Sequence, residues 1–206
     1  MFYQINNMII SHEEKFVFIR NPKTASRSIT EFLKNKYRVF DCNDYHHWVV
    51  PQSCKNYCIF VFVRNPFSRC VSAYNHVTSD RNKIGRRFLS FEDFVYNKYF
   101  DIKVKHSKVL NLFSQAQFIN MIKQDSNIEN IKICKYENLR TELYNLNFIN
   151  VNDIAHIGMN DAKNSWITMF DSKLEKHFVE SIPQDFENFG YSKNINDYNF
   201  TNRLLL

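Results

Sequence analysis

An apolar run followed by Arg-Asn-Pro occurs twice in this chain, about 40 residues apart, and restricts the fold more than any other feature. The first copy is Phe16-Val17-Phe18-Ile19-Arg20-Asn21-Pro22-Lys23-Thr24-Ala25-Ser26-Arg27-Ser28. The second is Phe60-Val61-Phe62-Val63-Arg64-Asn65-Pro66-Phe67-Ser68-Arg69-Cys70-Val71-Ser72. Aromatic and β-branched runs of this length, bounded by proline, form buried strands. Proline just inside a helix start sacrifices no hydrogen bond, because that N–H has no partner in any case. The chain therefore twice builds a strand, a tight turn and a helix N-terminus with cationic and hydroxyl side chains nearby. That is an anion site, and two of them suggest a ligand with phosphates at both ends.

The rest of the chain extends the alternation. The pattern predicts a strand over 16–20, a helix over 26–36, a short strand over 37–41 and a His-bearing turn over 45–48. A strand over 57–63 and a helix over 66–77 follow, then a basic, glycine-containing loop over 79–87. Ser90-Phe91-Glu92-Asp93 resembles a capping box and opens a helix reaching about Tyr99. Further elements are a helix over 112–123, a strand Ile131-Lys132-Ile133-Cys134 and a helix from Glu137 to Leu146. Leu174, Phe178 and Ile182 share one helical face, and Pro183 ends that helix. Met1 to Ile10 reads as an edge strand or an arm. Strands separated by helices of these lengths imply an α/β protein with a parallel sheet covered on both faces. No boundary stands out, so residues 1–206 are read as one domain.

Composition narrows the partners. A hydrophobic content of 44% and an aromatic content of 16% describe a folded protein, not a disordered one. A net charge of +6 and a pI near 9.0 point to an anionic partner: nucleic acid, a nucleotide cofactor, an acidic sugar or a membrane surface. The five cysteines, Cys42, Cys54, Cys58, Cys70 and Cys134, have no disulfide-framework spacing, which suits a reducing compartment. No stretch approaches transmembrane length, and the N-terminus lacks a basic region with an apolar signal core. A soluble, cytoplasmic protein is the expectation.

Residues 22–28 lack the glycines of a Walker phosphate loop, so this is not a standard ATP or GTP site. They keep its physical ingredients: amides at a helix N-terminus, Lys23 as a point charge, and the hydroxyls of Thr24, Ser26 and Ser28. The plain alternative is a capped helix with an exposed lysine. Arg64 ends the second strand, and an arginine suits bidentate phosphate binding. Its plain alternative is an ion pair with Asp41 or Asp44. Ser72 lies two turns into the helix that follows, as a phosphate ligand or a small packing residue.

Together these segments resemble a known family. Pro22-Lys23-Thr24-Ala25-Ser26-Arg27-Ser28 is similar to the 5′-phosphosulfate loop of sulfotransferases that use 3′-phosphoadenosine 5′-phosphosulfate (PAPS). Val63-Arg64-Asn65-Pro66-Phe67-Ser68-Arg69-Cys70-Val71-Ser72-Ala73-Tyr74 resembles the 3′-phosphate segment of the carbohydrate sulfotransferases, Golgi-type and bacterial. Lys135-Tyr136-Glu137-Asn138-Leu139, His156-Ile157-Gly158-Met159-Asn160, and Asp185 with Phe189-Gly190-Tyr191 resemble three further blocks of that family. The matches run in order over residues 16–191. Arg27 stands where the family usually carries Thr or Ser, and Lys135 where it carries Arg.

The resemblance implies a P-loop-like α/β sandwich, three layers around a central parallel sheet, with PAPS as donor, PAP as product and no metal. It implies that the backbone of Lys23, Thr24, Ala25, Ser26, Arg27 and Ser28 wraps the 5′-phosphosulfate. Lys23 would stabilise the departing phosphate, and Arg64 and Ser72 would hold the 3′-phosphate. An acceptor hydroxyl, expected on a carbohydrate, must lose its proton, and histidine titrates in the right range for that task. The family carries a catalytic histidine between its two phosphate segments, which here means His46 or His47. His47 is preferred because the apolar run Trp48-Val49-Val50 follows it.

Other candidates are weaker. His156, Asn160, Gln115 and Gln117 lie in or near family blocks. Arg81, Lys83, Arg86 and Arg87 around Gly85 form either an acceptor groove or lid, or a solvated face. Trp48 and Trp166 either stack on a sugar or adenine, or belong to the core. Cys54 and Cys58 near His46 and His47 fit no standard zinc spacing. Two other functions compete: a P-loop-like nucleotide kinase, which lacks its glycines and an evident magnesium-binding Asp, and a non-enzymatic module binding nucleic acid or acidic glycan. With a nucleotide sulfate donor in the site, no nucleic-acid partner is expected.

Overall fold

The computed structural model describes residues 8–41, 49–78, 90–96, 114–149 and 166–198. Its sheet is built from the predicted apolar runs. Strands β1 (Met8–Ser11), β2 (Phe16–Ile19), β3 (Phe40–Asp41), β4 (Cys58–Val63) and β5 (Lys132–Lys135) assemble in the order β3-β1-β2-β4-β5. The two Arg-Asn-Pro strands, β2 and β4, are parallel neighbours with Phe18 opposite Phe60, and β4 pairs in parallel with β5, Phe62 opposite Cys134. β1 runs antiparallel to both β2 and β3. It is thus an interior strand and not the edge or arm expected from the sequence. Its Met8, Ile9 and Ile10 are buried, which a free arm would not allow.

The helices are α1 (Ser26–Lys36), α2 (Pro66–Thr78), α3 (Phe91–Tyr96), α4 (Gln115–Ser126), α5 (Leu139–Tyr144), α6 (Ser172–Ser181) and α7 (Pro183–Glu187), among the described residues. Pro183 therefore ends one helix and starts the next. The described residues fall into two compact units. One lies within Met1–Arg64 and Gln117–Met159, the other within Asn65–Ala116 and Asn160–Leu206.

The first unit holds the sheet. Alternate residues Phe16, Phe18, Phe60, Phe62 and Cys134 form one cluster with Ile29, Phe32 and Leu33 of α1 and Leu139 and Leu143 of α5. The rings interlock: Phe18 stacks on Phe60 at 5.1 Å and Phe16 on Phe148 at 4.6 Å. The intervening Val17, Ile19, Val61 and Val63 are fully buried as well, so both faces of the parallel β2–β4 pair are covered. Each such side chain contributes about 1.5–3 kcal/mol by leaving water. Burial drives the Cys134 thiol up to about 12, and it is un-ionised at neutral pH. Cys58, half-buried, is raised by the same cause.

The second unit centres on Phe67 of α2, which meets Phe170 at 5.1 Å, Phe178 at 5.5 Å and Phe186 at 5.1 Å. Trp166 stacks on Phe67 at 6.4 Å, so it is committed to this core. Three long helix starts carry side-chain caps. Asn65 Oδ1 accepts from Ser68 N at 3.2 Å to cap α2, and Asp171 Oδ1 accepts from Leu174 N at 2.8 Å to cap α6. At the start of α4, buried Asp185 accepts from Ser114 Oγ at 2.6 Å, Gln115 N at 2.9 Å and Ala116 N at 2.9 Å.

Candidate functional site

The start of α1 is built differently. The helix begins at Ser26, four residues after Pro22, so Pro22 does not sit inside a helix start as Pro66 does. Between them the chain makes a loop without glycine, in which Lys23 (φ 68°) and Ala25 (φ 58°, ψ 20°) are left-handed. Each such residue with a Cβ costs on the order of 1–2 kcal/mol and persists only where its surroundings impose it. Left-handed residues in a turn bring amides to one side, the geometry of an anion nest.

The surroundings are visible. The buried Thr24 hydroxyl donates to Asn21 O at 2.8 Å. The Asn21 side-chain amide donates to Phe62 O of β4 at 2.9 Å. Arg64 Nη1 donates to Lys23 O at 3.3 Å. The loop is thus pinned to the end of β4 and the residue after it, through Asn21 and Lys23. Ala25, the residue before α1, has no side-chain group to cap the helix, and no acidic residue lies in its first turn. Neither a side-chain cap nor a first-turn carboxylate screens the positive end of this helix.

Cationic groups surround this end. Lys23 is half-buried and Arg27 exposed. Arg20 is half-buried; burial lowers its pKa, Asp41 opposes that, and the Arg27 charge adds to it. Asp41, one of the two carboxylates considered for Arg64, pairs with Lys34 at 2.5 Å. Arg64 places its guanidinium carbon over the ring of Tyr136, 4.6 Å from the centroid. Three of the sequence blocks, represented by Lys23, Arg64 and Tyr136, therefore meet within one unit.

Ser26 and Ser28 are half-buried on the first turn of α1, and Ser72 is half-buried on α2 of the second unit. Gln115 is buried and Gln117 exposed on α4. Asp185 serves the start of α4. His46, His47, Trp48, Cys42, Asp44, the basic residues at 81–87, and the block His156 to Asn160 lie outside the described residues. Sequence reasoning assigned no role to Asn21 or Tyr136. The repetition of Arg-Asn-Pro was the signal for Asn21. Among the described residues no cluster of His, Cys, Asp and Glu is able to hold a metal ion, and no helix is long and apolar enough to cross a membrane.

A strand, a strained glycine-free loop and an uncapped, cation-lined helix give this α/β protein the geometry that suits a phosphate-like anion on backbone amides. A family model, the sulfotransferase family, matches residues 6–192, and the chain belongs to that family. No curated protein and no solved structure gives a match. The fold is accordingly the P-loop-like α/β sandwich, and the protein is a PAPS-dependent sulfotransferase that transfers a sulfuryl group to an acceptor hydroxyl and releases PAP.

Proposed function

We propose that the protein sulfates a hydroxyl of a carbohydrate, with the amides of Lys23 to Ser28 around the 5′-phosphosulfate and Arg64 and Ser72 on the 3′-phosphate. The observation that carries this reading is the strained loop Lys23–Ala25 at an uncapped helix N-terminus, braced by Arg64. Strain of this kind is maintained where a backbone must present its amides to a ligand. PAPS supplies an activated sulfuryl group, whose departure leaves negative charge on a phosphate oxygen.

His47, with His46 as the alternative, takes the proton of the acceptor hydroxyl while its oxygen bonds to sulfur. Lys23 and the α1 amides stabilise the charge that grows on the leaving oxygen. Positioning and electrostatics do the work, as in phosphoryl transfer. The positive net charge favours acidic sugars among the acceptors, and the protein acts in the cytoplasm. The test is an acceptor screen with labelled PAPS, repeated with His47→Ala. Transfer to a sugar hydroxyl that vanishes in His47→Ala at unchanged PAP affinity supports the reading. Near-normal turnover in that variant moves the base to His46 or elsewhere, and labelling of non-carbohydrate hydroxyls alone overturns the acceptor class.

A further inference from the structure

We infer that Tyr136 is a positioning residue that sets the plane of the Arg64 guanidinium and thereby the discrimination for a 3′-phosphate; this rests on the reading that Arg64 binds that phosphate. The argument starts from register. Val63 of β4 lies opposite Lys135 of β5 in a parallel pair, so the next residue on each strand, Arg64 and Tyr136, leaves the sheet at the same level. The chain turns there into the short helical turn Tyr136–Asn138, and Lys135 N donates to Glu142 Oε1 at 3.1 Å, tying the turn to α5. The ring is thereby delivered beneath the guanidinium, whose central carbon lies over it 4.6 Å from the ring centroid, inside the range of a cation–π contact.

An arginine side chain carries considerable rotamer freedom, and bidentate phosphate recognition requires its fork to lie in one plane. The ring fixes that plane, and the Lys23 carbonyl at 3.3 Å fixes one edge. Arg64 is half-buried, where such a contact is screened less than at the open surface. The same guanidinium therefore joins the 3′-phosphate position to the loop that carries Lys23. Occupying the first is expected to steady the second.

The experiment measures Kd for PAP and for adenosine 5′-monophosphate, which lacks the 3′-phosphate, by calorimetry. The proteins are wild type, Tyr136→Phe, Tyr136→Leu, Arg64→Ala, and a variant with pentafluorophenylalanine at position 136, which keeps the ring shape but reverses its quadrupole. Wild type is expected to prefer PAP by at least about tenfold, a preference lost in Arg64→Ala. Tyr136→Phe retains the ratio. Tyr136→Leu and the pentafluoro variant lower it by about five- to tenfold, through PAP alone, with the monophosphate affinity unchanged.

Equal weakening of both nucleotides in Tyr136→Leu and in the pentafluoro variant, or an intact ratio in either, overturns the inference and leaves the Arg64 assignment standing. The pentafluoro variant decides the matter if Tyr136→Leu fails to fold. A wild-type ratio near one overturns the Arg64 assignment itself, and the inference with it.

Discussion

Arg20-Asn21-Pro22 and Arg64-Asn65-Pro66 follow neighbouring parallel strands, yet they open their helices in opposite ways. After the second, the helix starts at Pro66 itself and Asn65 caps it by accepting from Ser68 N at 3.2 Å. After the first, Asn21 turns away to donate to Phe62 O, the chain adds a loop with two left-handed residues, and α1 starts uncapped at Ser26. The capped helix has a first-turn amide, Ser68 N, satisfied by its own cap. The uncapped one has no such side-chain acceptor, an arrangement that suits an anion. The comparison teaches that the tripeptide alone does not decide how a helix opens; the residues after it do, by keeping a cap away and holding the backbone in a strained turn.

Four substitutions sharpen the contrast. Lys23→Ala should reduce turnover about 10²–10³-fold, the scale of losing one group that stabilises transition-state charge, with a much smaller change in PAP affinity. Steady-state rates beside calorimetric Kd values check this. Ala25→Asp places a carboxylate at the uncapped end and should weaken PAP binding at least about tenfold by like-charge repulsion, while the urea midpoint stays or rises. Asp185→Asn removes a buried charge that serves three donors and should lower stability by about 2 kcal/mol in urea unfolding. Asp171→Ala should cost about 1 kcal/mol, the ordinary value of a cap, and leave PAP affinity within about twofold. If Asp171→Ala and Ala25→Asp had the same effect on PAP binding, the distinction between capped and uncapped helices would be wrong.

Much of the frame was legible in the residues. The helix over 26–36 was read to the residue because Ile29, Phe32 and Leu33 recur at helical spacing and face the sheet. β2 and β4 were legible as apolar runs whose two faces are both buried. Sheet order was not, because β1 carries no local mark of whether it lies at an edge or inside. The left-handed turn at Lys23 and Ala25 was hidden for a different reason. Phosphate loops are recognised by glycine, and this one reaches the same handedness with Cβ-bearing residues held by Thr24, Asn21 and Arg64. The Asp185 cap on α4 joins residues about 70 positions apart, a separation that no local pattern encodes. Tyr136 was visible only as part of a sequence block; its contact with Arg64 follows from the β4–β5 register.

The most direct test of the central claim is calorimetric titration of wild type and Arg64→Ala with PAP, with and without EDTA. The account predicts saturable one-to-one binding in wild type, indifferent to EDTA and weakened at least about tenfold in Arg64→Ala. No binding in wild type, or equal binding in the two proteins, would contradict the assignment of the Lys23–Ser28 loop and Arg64 as the nucleotide site.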